Sequence, residues 1–110
     1  MEGAGGVLVP LTRSRLQVDL FAQWGLPAII VSRTRLGTIN HTLLTIEALK
    51  RRGIPIAGIA FSGEPNDDSE QTICRIGNVA RLGRLPIVDP LDAGSLLSAF
   101  RENFSVGDFV

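Results

Sequence analysis

Pro27-Ala28-Ile29-Ile30-Val31-Ser32, followed closely by Arg35-Leu36-Gly37-Thr38-Ile39-Asn40-His41, is the stretch whose reading decides the fold. Its first part is a short apolar, β-branched run bounded by proline and serine, the pattern of a buried strand over Ala28 to Ser32. From Thr38 to Arg52, Ile39, Leu43, Ile46 and Leu49 follow one another at intervals of four, three and three, which is one face of a helix. A strand that passes through a glycine turn straight into a helix leaves the first helical N–H groups free. They sit at the positive end of the helix dipole, a natural place for an anion, although many such turns bind nothing.

The pattern extends in both directions. Upstream, Val7 to Leu11 reads as a short extended segment stopped at Pro10. Leu16, Leu20, Phe21 and Trp24 then mark an amphipathic helix that ends at Gly25, with Trp24 in the core or at the domain edge. Downstream, the central helix stops at Gly53 and Ile54-Pro55 leads into a strand from Ile56 to Phe61, completing a β-α-β unit of right-handed crossover. Asp67, Asp68 and Ser69 offer caps for a third helix that carries Ile73, Ile76 and Ala80 on one face and closes at Gly83. Pro86-Ile87-Val88 reads as the third strand. Asp92 caps a last helix with Leu96, Leu97 and Phe100, and the tail frays from Asn103.

Alternating strands and helices predict an α/β fold with a parallel sheet covered on both faces, in a single domain over residues 1–110. Ligands of such sheets sit beyond the carboxyl ends of the strands. Three loops should therefore share a rim: Arg33 to Asn40, Ser62 to Asn66, and Asp89 to Asp92.

Charge and cysteine usage narrow the function classes. Eleven Lys and Arg balance eleven Asp and Glu, so bulk charge gives no attraction to nucleic acid. The one basic run, Lys50-Arg51-Arg52, closes a helix, where cations suit the dipole. The single cysteine, Cys74, has no partner for an internal disulfide and reads as a reduced, half-buried helical residue. No apolar run reaches the roughly 18 residues of a membrane span, and no basic segment precedes an apolar one at the start. The expected compartment is the cytoplasm. His41 lies just inside the helix without an acid partner, so capping or an interface suits it better than base catalysis, and no Ser/His/Asp grouping stands out.

At the front, Glu2-Gly3-Ala4-Gly5-Gly6 places a carboxylate before a glycine loop. Glu2 supplies a hard oxygen for Mg²⁺ and the glycine N–H groups supply donors for phosphate; the alternative reading is a loose terminus.

Glu2-Gly3-Ala4-Gly5-Gly6, followed some thirty residues later by Leu36-Gly37-Thr38-Ile39-Asn40-His41-Thr42-Leu43-Leu44-Thr45, closely resembles dethiobiotin synthetase. The likeness includes the helix-to-strand passage Gly53-Ile54-Pro55-Ile56-Ala57-Gly58 and weakens after Phe61. It implies a three-layer αβα, P-loop NTPase-like fold, present here as a C-terminal half, and a homodimer. The implied reaction takes 7,8-diaminononanoate, CO2 and MgATP to dethiobiotin, ADP and phosphate, through a carbamate that is phosphorylated and then cyclises. By the same resemblance Glu2 is the catalytic Mg²⁺ ligand, and Gly3, Ala4, Gly5 and Gly6 lie against phosphates and substrate. Gly37, Thr38, Ile39 and Asn40 hold the substrate carboxylate across the dimer interface. Ser62 and Pro90 fall at the nucleotide, Ser62 standing where many members have an adenine-reading asparagine.

Nothing in the chain matches G-x-x-x-x-G-K-[ST], the loop that cradles the β- and γ-phosphates. Met1 stands where the family's central strand should run, which leaves an apolar strand edge unpaired. The expectation is a fragment, or one half of a split enzyme whose partner carries the P-loop and without which the chain is inactive. The alternative is a non-catalytic substrate-binding or dimerisation module derived from this fold.

Overall fold

A computed structural model describes all residues, Met1–Val110. The order of elements is α1 (Gln17–Trp24), β1 (Ala28–Arg33), α2 (Thr38–Arg51), β2 (Ile56–Ser62), α3 (Asp67–Gly77), β3 (Arg81–Leu85), α4 (Ala93–Asn103) and a short 3₁₀ turn, Val106–Phe109. The strands form one parallel sheet in the order β1-β2-β3, as the alternation of strands and helices predicts. In register, Ile30 stands beside Ile59 and Ser32 beside Phe61. These four residues are buried and face α2 and α3, where Leu49 and Ile46 of α2 and Ile73 of α3 complete the core. Each fully buried residue of this size is worth about 1.5–3 kcal/mol.

Helix α2 runs as expected, with Arg52 as its C-cap. Its basic end is structural: the Lys50 ammonium donates to the Gly77 carbonyl at 2.7 Å, and Arg52 pairs with Asp19 of α1 at 3.5 Å. Helix α1 reaches the core through Val18, which is fully buried, while Trp24 is 38% exposed at the edge. The segment before α1 is a turn and not an extended run. Its one sheet-like contact is an isolated bridge between Pro10 and Leu16.

The sequence reading departs from the structure around α3 and β3. The side chain that caps α3 belongs to Asn66, which accepts from the Ser69 N–H at 3.3 Å. The helix stops at Gly77, with Asn78 in the left-handed region at φ 51°, so Ala80 and Gly83 lie beyond it and Ile76 is 63% exposed. The third strand is Arg81-Leu82-Gly83-Arg84-Leu85, and Pro86 to Val88 form a connection. Two arginines and a glycine disguise this strand, but each has a partner. Arg81 pairs with the buried Glu70 carboxylate of α3 at 3.0 Å, and Arg84 donates to the Gly63 carbonyl at 2.8 Å. Gly83 lies flush under the end of α4, because a Cβ there would collide with the Asn103 carbonyl oxygen and sit 2.8 Å from the Phe104 ring.

The tail is also ordered against the body. Phe104 stacks on Phe100 at 5.0 Å and Phe109 closes on both rings. Helix α4 is capped by Asp92 as expected: its carboxylate accepts from the Ser95 N–H at 2.8 Å, and the Ser95 hydroxyl accepts in return from the Asp92 N–H.

Cover on the second face of the sheet is incomplete, contrary to the expectation of a sheet covered on both sides. Helix α4 lies over β3, but Ile29 and Val31 of β1 point to the same side and are 43% and 73% exposed.

Replacing Gly83 by alanine should lift the α4 end from β3 and cost about 1–3 kcal/mol by overpacking, read as a lowered urea midpoint at unchanged slope. The Asp92 carboxyl is held below its usual range by the Ser95 hydrogen bonds. A lowered folded-state value means that its contribution is present above the ordinary carboxylate range and is lost as pH falls through the lowered value. Asp92→Ala should therefore already show reduced α4 helicity at neutral pH and a smaller further loss on acidification than the parent chain, as followed by circular dichroism.

Candidate functional site

The turn between β1 and α2 is held by hydroxyls. The Ser32 and Thr42 hydroxyls meet at 2.9 Å, Thr38 Oγ1 approaches Thr42 Oγ1 at 3.4 Å, and Thr38 Oγ1 also donates to the Arg33 carbonyl. All three residues are buried, so this chain of hydroxyls locks the last residues of β1 to the first turn of α2. Thr34 adds a link to the next loop, its carbonyl accepting from the Asn66 side-chain amide at 3.3 Å. The turn itself ends on Gly37, whose φ of 94° would strain any residue with a Cβ. As N-cap of α2 it contributes no side-chain acceptor. The Thr38 N–H donates to the Arg35 carbonyl at 3.1 Å, so of the leading N–H groups those of Ile39 and Asn40 are left to an external acceptor.

Beside this turn lies a cavity of about 950 Å³. One wall is the N-terminal arm from Glu2 to Gly6, and the opposite wall is β1 with Arg33, Arg35, Thr38 and His41 at its rim. Gly5 and Gly6 have φ of 91° and 113°, and Gly3 packs so closely on Phe21 and Gln17 of α1 that a Cβ would lie 2.8 Å from the Gln17 amide nitrogen. The arm is thereby seated on α1, with Gln17 donating to the Gly6 carbonyl at 3.0 Å.

The candidate residues thus divide into groups. Glu2, Gly3, Ala4, Gly5, Gly6 and Thr38 line one cavity; Gly37, Ile39 and Asn40 are on the adjoining turn, Asn40 exposed and Ile39 half-buried. Ser62 lies elsewhere, at the end of β2 beside the apolar groove under α4, and Pro90 lines neither space. Of the three loops expected at one rim, the first two are joined by the Asn66 to Thr34 bond. The Gly63 N–H also donates to Leu85 at the end of β3. His41 is exposed beside the turn.

The fit to Mg²⁺ is limited to one ligand. The chain holds no group of three or more His, Cys, Asp or Glu able to bind a metal, and Glu2 is the sole carboxylate on the cavity. A Mg²⁺ ion carried by nucleotide phosphates requires only one or two protein carboxylates, so Glu2 fits that use and not a protein-only cage.

Sequence reasoning missed Ser32, Thr42 and Asn66 as the residues that fix the turn. The signal was present as a hydroxyl ending the strand and two more at i and i+4 on the helix, which share a face.

A protein-family model described as an AAA domain matches residues 1–95. The chain belongs to that family. It is 58% identical to the ATP-dependent dethiobiotin synthetase of Rhodopseudomonas palustris over 99% of its own length and 52% of the relative's. The corresponding enzymes of Novosphingobium aromaticivorans and Rhizorhabdus wittichii are 60% and 61% identical over the same 99% of the chain, and 53% and 52% of theirs. The chain spans about half the length of the curated relatives it matches. The resemblance carried by the glycine arm and the Gly37 turn is thereby shown across almost the whole chain, its part beyond Phe61 included. The parallel three-stranded sheet with its helices is part of a P-loop NTPase-like α/β fold.

Thr42→Val should leave the Ser32 hydroxyl buried without its partner and lower stability by about 1–3 kcal/mol, whereas the exposed neighbour Asn40→Ala should change it little. Chemical denaturation of both variants measures the difference. The Cys74 thiol is pushed above its ordinary value, chiefly by burial, with Glu70 adding to the effect and Arg81 opposing it. Its alkylation by iodoacetamide at pH 8 should accordingly be slower in the folded chain than in urea.

Proposed function

We propose that this chain forms the substrate-orienting part of a dethiobiotin synthetase, acting in ATP-dependent carboxylation and ring closure of 7,8-diaminononanoate with CO2. The observation that carries this reading is the juxtaposition of the uncapped, glycine-started α2 N-terminus with the Glu2 to Gly6 arm across one cavity. The relatives' names give ATP dependence and dethiobiotin synthesis to those proteins, and the identity of more than half the residues supports carrying both to the site here.

In this reading the N–H groups of Ile39 and Asn40, with the Asn40 side chain, receive the substrate carboxylate, while Thr38, whose N–H is taken by the Arg35 carbonyl, holds the turn beside it. A contact of this kind at a helix terminus is worth up to about 2 kcal/mol. The Arg33 and Arg35 side chains at the rim favour the same anion. Glu2 holds Mg²⁺ together with nucleotide phosphates, and the glycine arm lies along the phosphates and the reacting end of the substrate. MgATP, when bound, supplies the phosphoryl group that activates the carboxylated amine. Ser62 and Pro90 are the proposed nucleotide contacts of this chain. No G-x-x-x-x-G-K-[ST] loop is present in its sequence, so the phosphate cradle comes from the portion of the relatives outside the match. A homodimer in the cytoplasm completes the proposal, with the Gly37 to Asn40 turn serving substrate across the subunit interface.

The test is an assay of dethiobiotin formation by the chain with the remaining half of a relative supplied. Asn40→Ala should raise the diaminononanoate KM about tenfold and leave kcat nearly unchanged, as loss of one hydrogen bond to a charged group requires. Glu2→Gln should instead lower the Mg²⁺-dependent turnover and raise the Mg²⁺ concentration at half-maximal rate. An unaltered KM in Asn40→Ala would refute the carboxylate assignment. Substrate binding by calorimetry with no turnover in the reconstituted mixture would favour a non-catalytic binding module.

A further inference from the structure

Three consecutive carbonyls, those of Arg33, Thr34 and Arg35, carry the chain from β1 towards α2, and each has a donor. The Arg33 carbonyl takes the Thr38 hydroxyl, the Arg35 carbonyl takes the Thr38 N–H at 3.1 Å, and the Thr34 carbonyl takes the Asn66 side-chain amide at 3.3 Å. Two of these donors belong to Thr38, inside the turn. Asn66 reaches it from outside, 32 residues along the chain. The other end of its amide is committed as well, because Asn66 Oδ1 accepts from the Ser69 N–H at 3.3 Å as the cap of α3. One partner is a carbonyl and the other an N–H, so the orientation of the amide is fixed by its surroundings.

The loop that carries Asn66 has anchors of its own. Gly63, at its start, is tied to β3 by both backbone groups: its N–H donates to the Leu85 carbonyl at 3.0 Å, and its carbonyl accepts from Arg84 at 2.8 Å. The α3 cap holds its other end. A Cβ on Gly63 would lie 2.6 Å from Thr34 Oγ1, so the turn packs directly on this support. Dependence therefore runs one way, from the turn before α2 to the loop after β2. We propose that Asn66 is a positioning residue for the substrate carboxylate. It acts through the Thr34 carbonyl, setting the path of the turn and with it the Ile39 and Asn40 N–H groups and the flanking Arg33 and Arg35. This rests on the functional reading above. The effect falls on binding, because a turn left to be ordered by the arriving substrate subtracts that cost from affinity. Ser62, the proposed nucleotide contact, keeps its place without the bond, since Gly63 stays tied to β3.

The experiment assays the chain reconstituted with the remaining half of the Novosphingobium aromaticivorans relative, in two variants that separate the two hydrogen bonds of Asn66. Asn66→Ser keeps an oxygen to cap α3 and loses the donor to Thr34, whereas Asn66→Ala loses both. Both should raise the diaminononanoate KM about three- to tenfold, the effect of one hydrogen bond, with kcat and the MgATP KM within about twofold of the parent. Stability should divide the same pair, the urea midpoint falling further in Asn66→Ala than in Asn66→Ser. Exchange of the Thr38 amide hydrogen, bonded within the turn, should be faster in both. If the mixture binds diaminononanoate without turnover, the same ratios are read as Kd by calorimetry.

A diaminononanoate KM unchanged in Asn66→Ser but raised in Asn40→Ala overturns the inference and leaves the carboxylate assignment standing. A KM raised in Asn66→Ala alone, following stability, overturns it in favour of a purely structural cap. An equal rise in the MgATP KM also overturns it, because the loop after β2 would then depend on the turn. A KM unchanged in both Asn66→Ser and Asn40→Ala refutes the functional reading and the inference with it, so Asn40→Ala tells the two failures apart.

Discussion

A parallel sheet is stable when both its faces are covered, and in this chain β1, an edge strand paired with β2, is covered on one face only. Its pairing with β2 and its burial under α2 are complete, with Ile30 and Ser32 closed against Ile46, Thr42 and Phe61. The opposite edge and face are open. This asymmetry organises the molecule. One side of the sheet is a core, and the other carries a helix, α4, that touches β3 and stands off from β1.

The turn from β1 into α2 inherits its rigidity from the closed side. Backbone bonds alone would leave a glycine-ended turn free to shift, since Gly37 has no side chain to anchor it. The buried hydroxyls of Ser32, Thr38 and Thr42 supply the missing constraint, and they do so without using the helix's own leading N–H groups. A capping aspartate at Gly37 would have stabilised α2 by occupying those donors. The sequence has instead put the stabilisation one turn further in and left the terminus open, the arrangement expected where an anion binds.

How far the sequence could be read follows from which signals are local. The β1-α2-β2 unit was legible, because β-branched runs and a helical stripe of Ile39, Leu43, Ile46 and Leu49 are local patterns. The strand-to-helix turn at Gly37 was legible for the same reason. Strand β3 was not: Arg81 and Arg84 look like surface residues until Glu70 and the Gly63 carbonyl, contributed from elsewhere in the chain, neutralise or accept them. Gly83 looked like a helix stop because its real cause, the close approach of Asn103 and Phe104, lies twenty residues away. The order of the tail was missed likewise, since it depends on Phe109 meeting Phe100 across the turn. The glycine arm was legible as a motif, while its seat on α1 through Gly3 and Gln17 needed the tertiary structure.

The open edge of β1 and the turn into α2 are contiguous in sequence and mechanically continuous. Thr38 holds the Arg33 carbonyl, and Arg33 is the last residue of β1, so the position of the α2 terminus is set by where β1 ends. The Thr38 hydroxyl thereby holds the leading N–H groups of α2 in a fixed position relative to the closed side of the sheet. Orientation is worth most when it is already in place as the ligand arrives, because an ordering cost met on binding subtracts directly from affinity. The end of the strand and the start of the helix are therefore fixed by one constraint. The residue that couples them is Thr38, whose hydroxyl belongs to the helix and whose acceptor belongs to the strand.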